Sequence, residues 1–269
     1  MTSSLCPKLL TVLLSLNSSL LLAEPKTASL ISVFQHSKLV DLSHKLAPDI
    51  PHWSGFPPAT RTTLFDYPDS GFKAEQYCHV GQWGTHIDPP SHFFAGLRTL
   101  DQIPLTEMIM PLVVLDVHRQ VQQNPDYTLS VADIRAWEQR HGPIPRNSFV
   151  AMRTDWSKRW PDQVNMQNQD AAGVKHYPGW SLEALRYLYE QRGITASGHE
   201  TTDTDPGIAT SHDDYSLEAY ILSNNHYQIE MLTNLDQVPE SGAAVMVSWP
   251  NVDQGSGFPA RVLALINAD

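Results

Sequence analysis

Two hydrophobic periodicities alternate along this chain. Short apolar runs at residues 112–117, 149–152, 243–248 and 262–266 have the length of buried strands. Between them lie helix patterns. Ser130 is placed to cap a helix over 131–140 that Gly142 stops, and Ser181 to cap one over 182–191 that Gly193 stops. In the second, Leu182, Leu185, Leu188 and Tyr189 form one apolar face. Ser216 is placed to cap a third helix over 217–223. Strands alternating with helices predict α/β layers. Residues 41–101 break the pattern: Pro48, Pro51, Pro57, Pro58, Pro68, Pro89 and Pro90 punctuate loops and short strands, where sites usually sit.

The N-terminus reads as an address. Lys8 gives a positive start, and residues 9–23 form an apolar run interrupted by Ser15, Asn17, Ser18 and Ser19. The run is too short and broken to span a bilayer, and no later stretch is long and apolar enough. Residues 1–23 are expected to be a secretory signal and residues 24–269 a single domain, since no composition shift divides them. Export places the mature chain in the periplasm or the extracellular space. Cys78 is then its only cysteine, read as a small buried residue, so no internal disulfide forms.

Charge narrows the partners. The 269 residues carry 18 Lys and Arg against 29 Asp and Glu, a net charge of −11. Removal of the leader takes only Lys8 and leaves 17 against 29, or −12. That balance argues against a nucleic acid or an anionic membrane surface as partner. Twelve His against two Cys means that any metal is held by imidazole and carboxylate. No phosphate-binding glycine loop and no G-x-S-x-G elbow is present.

The most informative run is Gly81-Gln82-Trp83-Gly84-Thr85-His86-Ile87-Asp88-Pro89-Pro90-Ser91-His92-Phe93. In an extended chain Gln82, His86 and Asp88 share a face, because strand side chains alternate. Pro89-Pro90 cannot continue a central strand, so a bend there can return His92 to the same point. Imidazole and carboxylate together suit Zn²⁺, Mn²⁺ or Fe²⁺. Such an ion acidifies a bound water, and a nearby His can move the proton.

The segment Gly84-Thr85-His86-Ile87-Asp88-Pro89-Pro90-Ser91-His92-Phe93 resembles the signature of the cyclase family of metal-dependent hydrolases, which includes kynurenine formamidase and isatin hydrolase. Asp41-Leu42-Ser43 with Pro51-His52-Trp53, Arg153-Thr154-Asp155-Trp156, Tyr177-Pro178-Gly179-Trp180, Gly198-His199-Glu200-Thr201, Glu230 ahead of Leu232-Thr233-Asn234-Leu235, and Gly257-Phe258-Pro259-Ala260-Arg261 come in the family's order. The resemblance implies a swivelling β/β/α single domain with mixed sheets and flanking helices. It also implies a homodimer or homotetramer, with His86, Asp88 and Glu230 as metal ligands, His92 as acid/base and Trp53 packed on substrate. Where the two-zinc formamidase pattern has His, this chain has Gln82 and Glu218. Both supply oxygen donors, so Gln82 and Glu218 join the candidate ligands, and one or two ions, Mn²⁺ in preference to Zn²⁺, are expected.

His199 and Glu200 sit in a polar loop that either orients ligands, supplies an alternative one, or is simply a turn rich in hydrogen-bonding side chains. Parity places His79 off the ligand face, while His212 and His226 flank the Glu218 helix. The function expected is metal-dependent hydrolysis of a small-molecule amide, lactam or ester. The alternatives are an arylformamidase acting on N-formylkynurenine and a non-catalytic small-molecule binder on the same scaffold.

Overall fold

The computed structural model describes residues 26–267, and side-chain surroundings from residue 31. The expected signal, residues 1–23, lies outside the described residues. Contacts divide the chain at residue 36. Helix α1 (Lys26–Gln35) belongs to the first unit. The second unit starts at Ser37 and holds every other element.

Its strands are β1 (Ser37–Asp41), β2 (Thr60–Phe65), β3 (Ala74–Cys78), β4 (His86–Asp88), β5 (Ile109–Asp116), β6 (Thr128–Leu129), β7 (Phe149–Arg153), β8 (Gly179–Trp180), β9 (Ala196–His199), β10 (Tyr227–Glu230), β11 (Ala243–Ser248), β12 (Phe258–Pro259) and β13 (Arg261–Asn267). Its helices are α2 (Tyr67–Ser70), α3 (His118–Gln123), α4 (Val131–His141), α5 (Gln163–Gln167), α6 (Leu182–Arg186), α7 (Gly207–Thr210) and α8 (Ser216–Ser223). Nine strands form one mixed sheet in the order β1-β13-β11-β5-β7-β9-β10-β4-β12. β5, β7, β9 and β10 run parallel at its centre, and the flanking pairs are antiparallel.

Alternation along the central strands explains why both faces are covered. Leu112, Val114, Phe149 and Ala151 join Ile87, Ile229, Val245 and Val262 in one core. Val113, Leu115, Val150 and Met152 turn to the other face, where Ile134, Trp137, Leu185 and Leu188 pack over them. Ser130 caps α4 reciprocally with Asp133, and Gly142 ends it.

Three local expectations are corrected. The helix from Leu182 is α-helical only to Arg186, then widens into a π turn (Tyr187–Arg192) before Gly193 stops it at φ 65°. Ser216 is the first helical residue of α8 rather than its cap. The leading N–H groups donate instead to Asp205, from Leu217 at 2.9 Å and Glu218 at 3.0 Å. Cys78 is exposed, because β2 and β3 form a separate two-stranded hairpin outside the large sheet. Every residue of β2 is exposed.

Candidate active site

Four elements bring the site together. β4 and β10 are antiparallel, with Glu230 opposite His86 and Gln228 opposite Asp88. Directly opposed side chains share a face, so these four project together while Ile87 and Ile229 enter the core behind them. α8 contributes Glu218, and the loop from β9 to α7 contributes Thr202 and Asp203. After Pro89-Pro90 the chain makes a short 3₁₀ turn, closed by His92 N–H donating to Pro89 O at 2.8 Å. That turn carries His92 back over Asp88, as the proline pair implies. The resulting cavity holds about 220 Å³ and is walled on one side by Trp53, Phe56, Phe93 and Tyr215.

The polar floor is built for a cation. His86 Nδ1 faces the Gly84 carbonyl at 2.7 Å, so this nitrogen carries the proton and Nε2 is turned to the acids. Nε2 lies 3.4 Å from Asp88 Oδ2 and 3.5 Å from Glu230 Oε2. His86, Asp88 and Glu230 can each present a ligand atom to one point, and Asp88, His92 and Glu218 to a second. Asp88 belongs to both sets and can bridge them. Its Oδ1 is buried without a hydrogen-bond partner among the described residues, and a cation would satisfy it. The donor set of buried carboxylates and one imidazole with a free nitrogen therefore fits a divalent ion.

Crowded carboxylates on the buried floor shift one another's proton affinities. Burial and the neighbouring Asp88 push both Glu218 and Glu230 well above the usual carboxylate range. Burial opposes charge on His86, but the adjacent Asp88 carboxylate outweighs it and raises the imidazole. Asp88 itself falls to about 2, since the His86 charge beside it overcomes burial. His199 falls to about 3 through burial.

Two glutamines fix the geometry around this floor. Gln82 lines the cavity as its parity implies, but through its nitrogen: Nε2 donates to Ser256 O at 2.7 Å and meets His92 Nδ1 at 3.2 Å. Gln228, absent from the sequence-based candidates, takes a bond from the Thr204 hydroxyl on its oxygen. Its nitrogen then faces Glu230 Oε1 at 3.0 Å and Asp88 Oδ2 at 3.4 Å. Its position two residues before Glu230 in a strand was the available signal.

The other candidates separate. His199 is fully buried with Nε2 3.4 Å from Glu230 Oε1. Glu200 is not among the cavity residues. Its oxygens accept from Thr154 N at 2.6 Å and Ser157 Oγ at 2.6 Å, tying β9 to the turn after β7. Trp53 is half exposed at the mouth, its indole N–H on the Tyr215 hydroxyl at 3.1 Å. His79 packs edge-on against Phe258, and the His226 ring lies against Tyr189 with Nδ1 on Thr195 O. His212 is exposed.

The Cyclase family model matches residues 40–206. The chain belongs to the cyclase family of metal-dependent hydrolases. Isatin hydrolase of Roseibium aggregatum is 30% identical over 243 residues, covering 85% of this chain and 92% of that protein. Two solved structures share the fold of this cyclase-family chain at TM-score 0.83. Isatin hydrolase A from Labrenzia aggregata, bound to benzyl benzoate, is 32% identical and covers 90% of this chain and 100% of that one. The isatin hydrolase A of Ralstonia solanacearum is 31% identical and covers 91% and 98%. The mixed sheet and flanking helices are thus those of the isatin hydrolase fold.

Proposed function

We propose that this protein hydrolyses the ring amide of a flat cyclic substrate of the isatin type. The observation that carries the reading is the convergence of His86, Asp88 and Glu230 at the base of an aromatic-walled cavity. Similarity to isatin hydrolase over 92% of that protein's length supports the substrate class. His86, Asp88 and Glu230 would hold the ion, and Glu218 with Asp88 would hold a second if one binds. One imidazole among carboxylate donors favours Mn²⁺ over Zn²⁺. A divalent ion there supplies an acidified water and polarises the substrate carbonyl.

The chain's own groups handle binding and protons. The Ser256 carbonyl can only accept, so the Gln82 nitrogen faces it and its second N–H points at His92 Nδ1. Neutral His92 then carries its proton on Nε2, on the Glu218 side, with Oε1 4.0 Å away. His92 keeps this proton and donates a hydrogen bond from Nε2, since losing it would leave an imidazolate, and Glu218 takes the proton released by water and delivers it to the leaving nitrogen. Trp53, Phe56 and Phe93 pack against the flat ring and exclude water from it.

The test is ring opening of isatin by purified protein after chelation and after Mn²⁺ or Zn²⁺ addition, with N-formylkynurenine in parallel. Metal-restored turnover of isatin supports the reading. Turnover confined to N-formylkynurenine would replace the substrate with a formamide, and metal binding with no turnover of either would favour a binding protein.

Export and assembly belong to the same proposal. The broken apolar run at 9–23 supports secretion, checked by the N-terminal sequence of the mature protein. The β2–β3 hairpin supports a homodimer or homotetramer: Leu64, Phe65, Tyr67, Phe72 and Tyr77 are all exposed, by 48% or more, on an element that two strands alone do not stabilise. Light scattering reads the assembly directly.

A further inference from the structure

Asp203 faces the cavity, yet it is in neither set of residues whose ligand atoms converge. It is only 8% exposed, so a role for it must come from what it is bound to. Two hydroxyls reach its side chain, and both go to the same oxygen. Oδ2 accepts from the fully buried Tyr177 and, at 2.8 Å, from Thr202 Oγ1. The backbone is fixed as well, since Asp203 O accepts from Thr201 Oγ1 at 2.9 Å. Tyr177 is itself held 2.5 Å from Thr210 Oγ1 on α7. Burial keeps the Tyr177 phenol protonated, so it stays a donor. The carboxyl is thereby clamped through Oδ2, while Oδ1 takes no hydrogen bond from the described residues and the residue lines the cavity.

We infer that Asp203 is a specificity-determining residue that accepts a hydrogen bond from the N–H of a cyclic amide bound in the cavity. This rests on the cyclic-amide reading above and adds to it which ring atom is recognised. Once a bound ring seals this acceptor from water, leaving it unpaired is costly, whereas one that meets an N–H is satisfied. A site built this way rejects an analogue that lacks the donor far more strongly than a merely hydrophobic pocket could. The other acids around the cavity cannot serve as well, because Asp88, Glu218 and Glu230 converge on the candidate ion positions.

The clamp also sets what Asp203→Asn would do. Tyr177 and Thr202 donate, so the new amide must turn its oxygen to them and its NH₂ into the cavity. The variant is nearly isosteric but presents a donor where the parent presents an acceptor. Tyr177→Phe keeps Asp203 and removes one clamp.

The experiment compares isatin with N-methylisatin in the parent, Asp203→Asn and Tyr177→Phe. The readouts are the ratio of kcat/KM values and the ratio of Kd values from quenching of tryptophan fluorescence. Taking ratios within each variant cancels the intrinsic reactivity of the two ligands. The parent should favour the N–H ligand by about 10-fold or more, in keeping with loss of a buried polar contact. Asp203→Asn should erase or invert that preference, and Tyr177→Phe should reduce it. A ratio that stays within about twofold of the parent in Asp203→Asn overturns the inference. Absence of turnover with the binding preference intact would count against the hydrolase reading alone, and the Kd ratios still decide the role of Asp203.

Discussion

Gln82 Nε2 lies 3.2 Å from His92 Nδ1, and the same nitrogen donates to Ser256 O at 2.7 Å. The amide therefore orients the imidazole and sets its tautomer. Gln82→Ala should lower kcat by about 10-fold, less than the roughly 10²–10⁴-fold expected for loss of Glu218 as the proposed acid/base. Metal content, measured by mass spectrometry of the purified variant, should match the parent. A large loss of metal in Gln82→Ala would instead make this residue a ligand.

Asp88, Glu218 and Glu230 crowd acids into a buried floor, and a bound divalent ion would relieve that repulsion. Metal should therefore raise thermal stability. At an ion concentration about 100 times Kd the gain is about 2.7 kcal/mol. For a domain of this size that is a rise in Tm of about 5–10 °C by scanning calorimetry. In Glu230→Gln most of the metal-induced rise should vanish.

His44 provides a pH signature away from the floor. Its ring stacks on Trp160 at 4.0 Å, its Nε2 is buried without a partner among the described residues, and burial lowers its pKa to about 4. The unfolded chain protonates near 6.5 while the folded chain does not, so stability is full above about 6.5. It is lost as pH falls toward 4, by about 3 kcal/mol at most for this group. His44→Phe keeps the stacking and removes the proton. Urea unfolding of the metal-free proteins at about pH 7 and about pH 4.5 should show a smaller fall for the variant.

Gly198 sits beside His199 in β9, where a Cβ would approach Phe149 Cζ at 2.7 Å and Ile229 O at 3.0 Å. Gly198→Ala should destabilise the protein by about 1–3 kcal/mol through overpacking. The strain falls between β9 and β10, so metal affinity should fall with it. Titration calorimetry and thermal melts together read both effects.

Local patterns carried much of this in the sequence. Alternation put His86 and Asp88 on one face, the proline pair turned His92 back, and caps such as Ser130 marked helix starts. Long-range partnerships were less visible. Asp205 caps α8 from twelve residues before Leu217, so Ser216 looked like the cap. The nitrogen of Gln82 faces His92 because Ser256, far along the chain, supplies the carbonyl that orients it. Gln228 and Asp203 are oriented by hydroxyls of Thr204 and Tyr177, which no spacing within a single segment reveals. Cys78 is exposed because its hairpin stands apart from the large sheet, and nothing in the local sequence marks that separation.

In the central proposal, His86, Asp88 and Glu230 would hold a divalent ion that supports opening of a cyclic amide in this cavity. The most direct measurement is the rate of isatin ring opening by the parent, His86→Ala and Asp88→Asn proteins, each assayed chelated and with added Mn²⁺. Metal-dependent turnover is expected in the parent, with a loss of at least about 100-fold in both variants. Full turnover by the chelated parent, or variants as active as the parent, would contradict it.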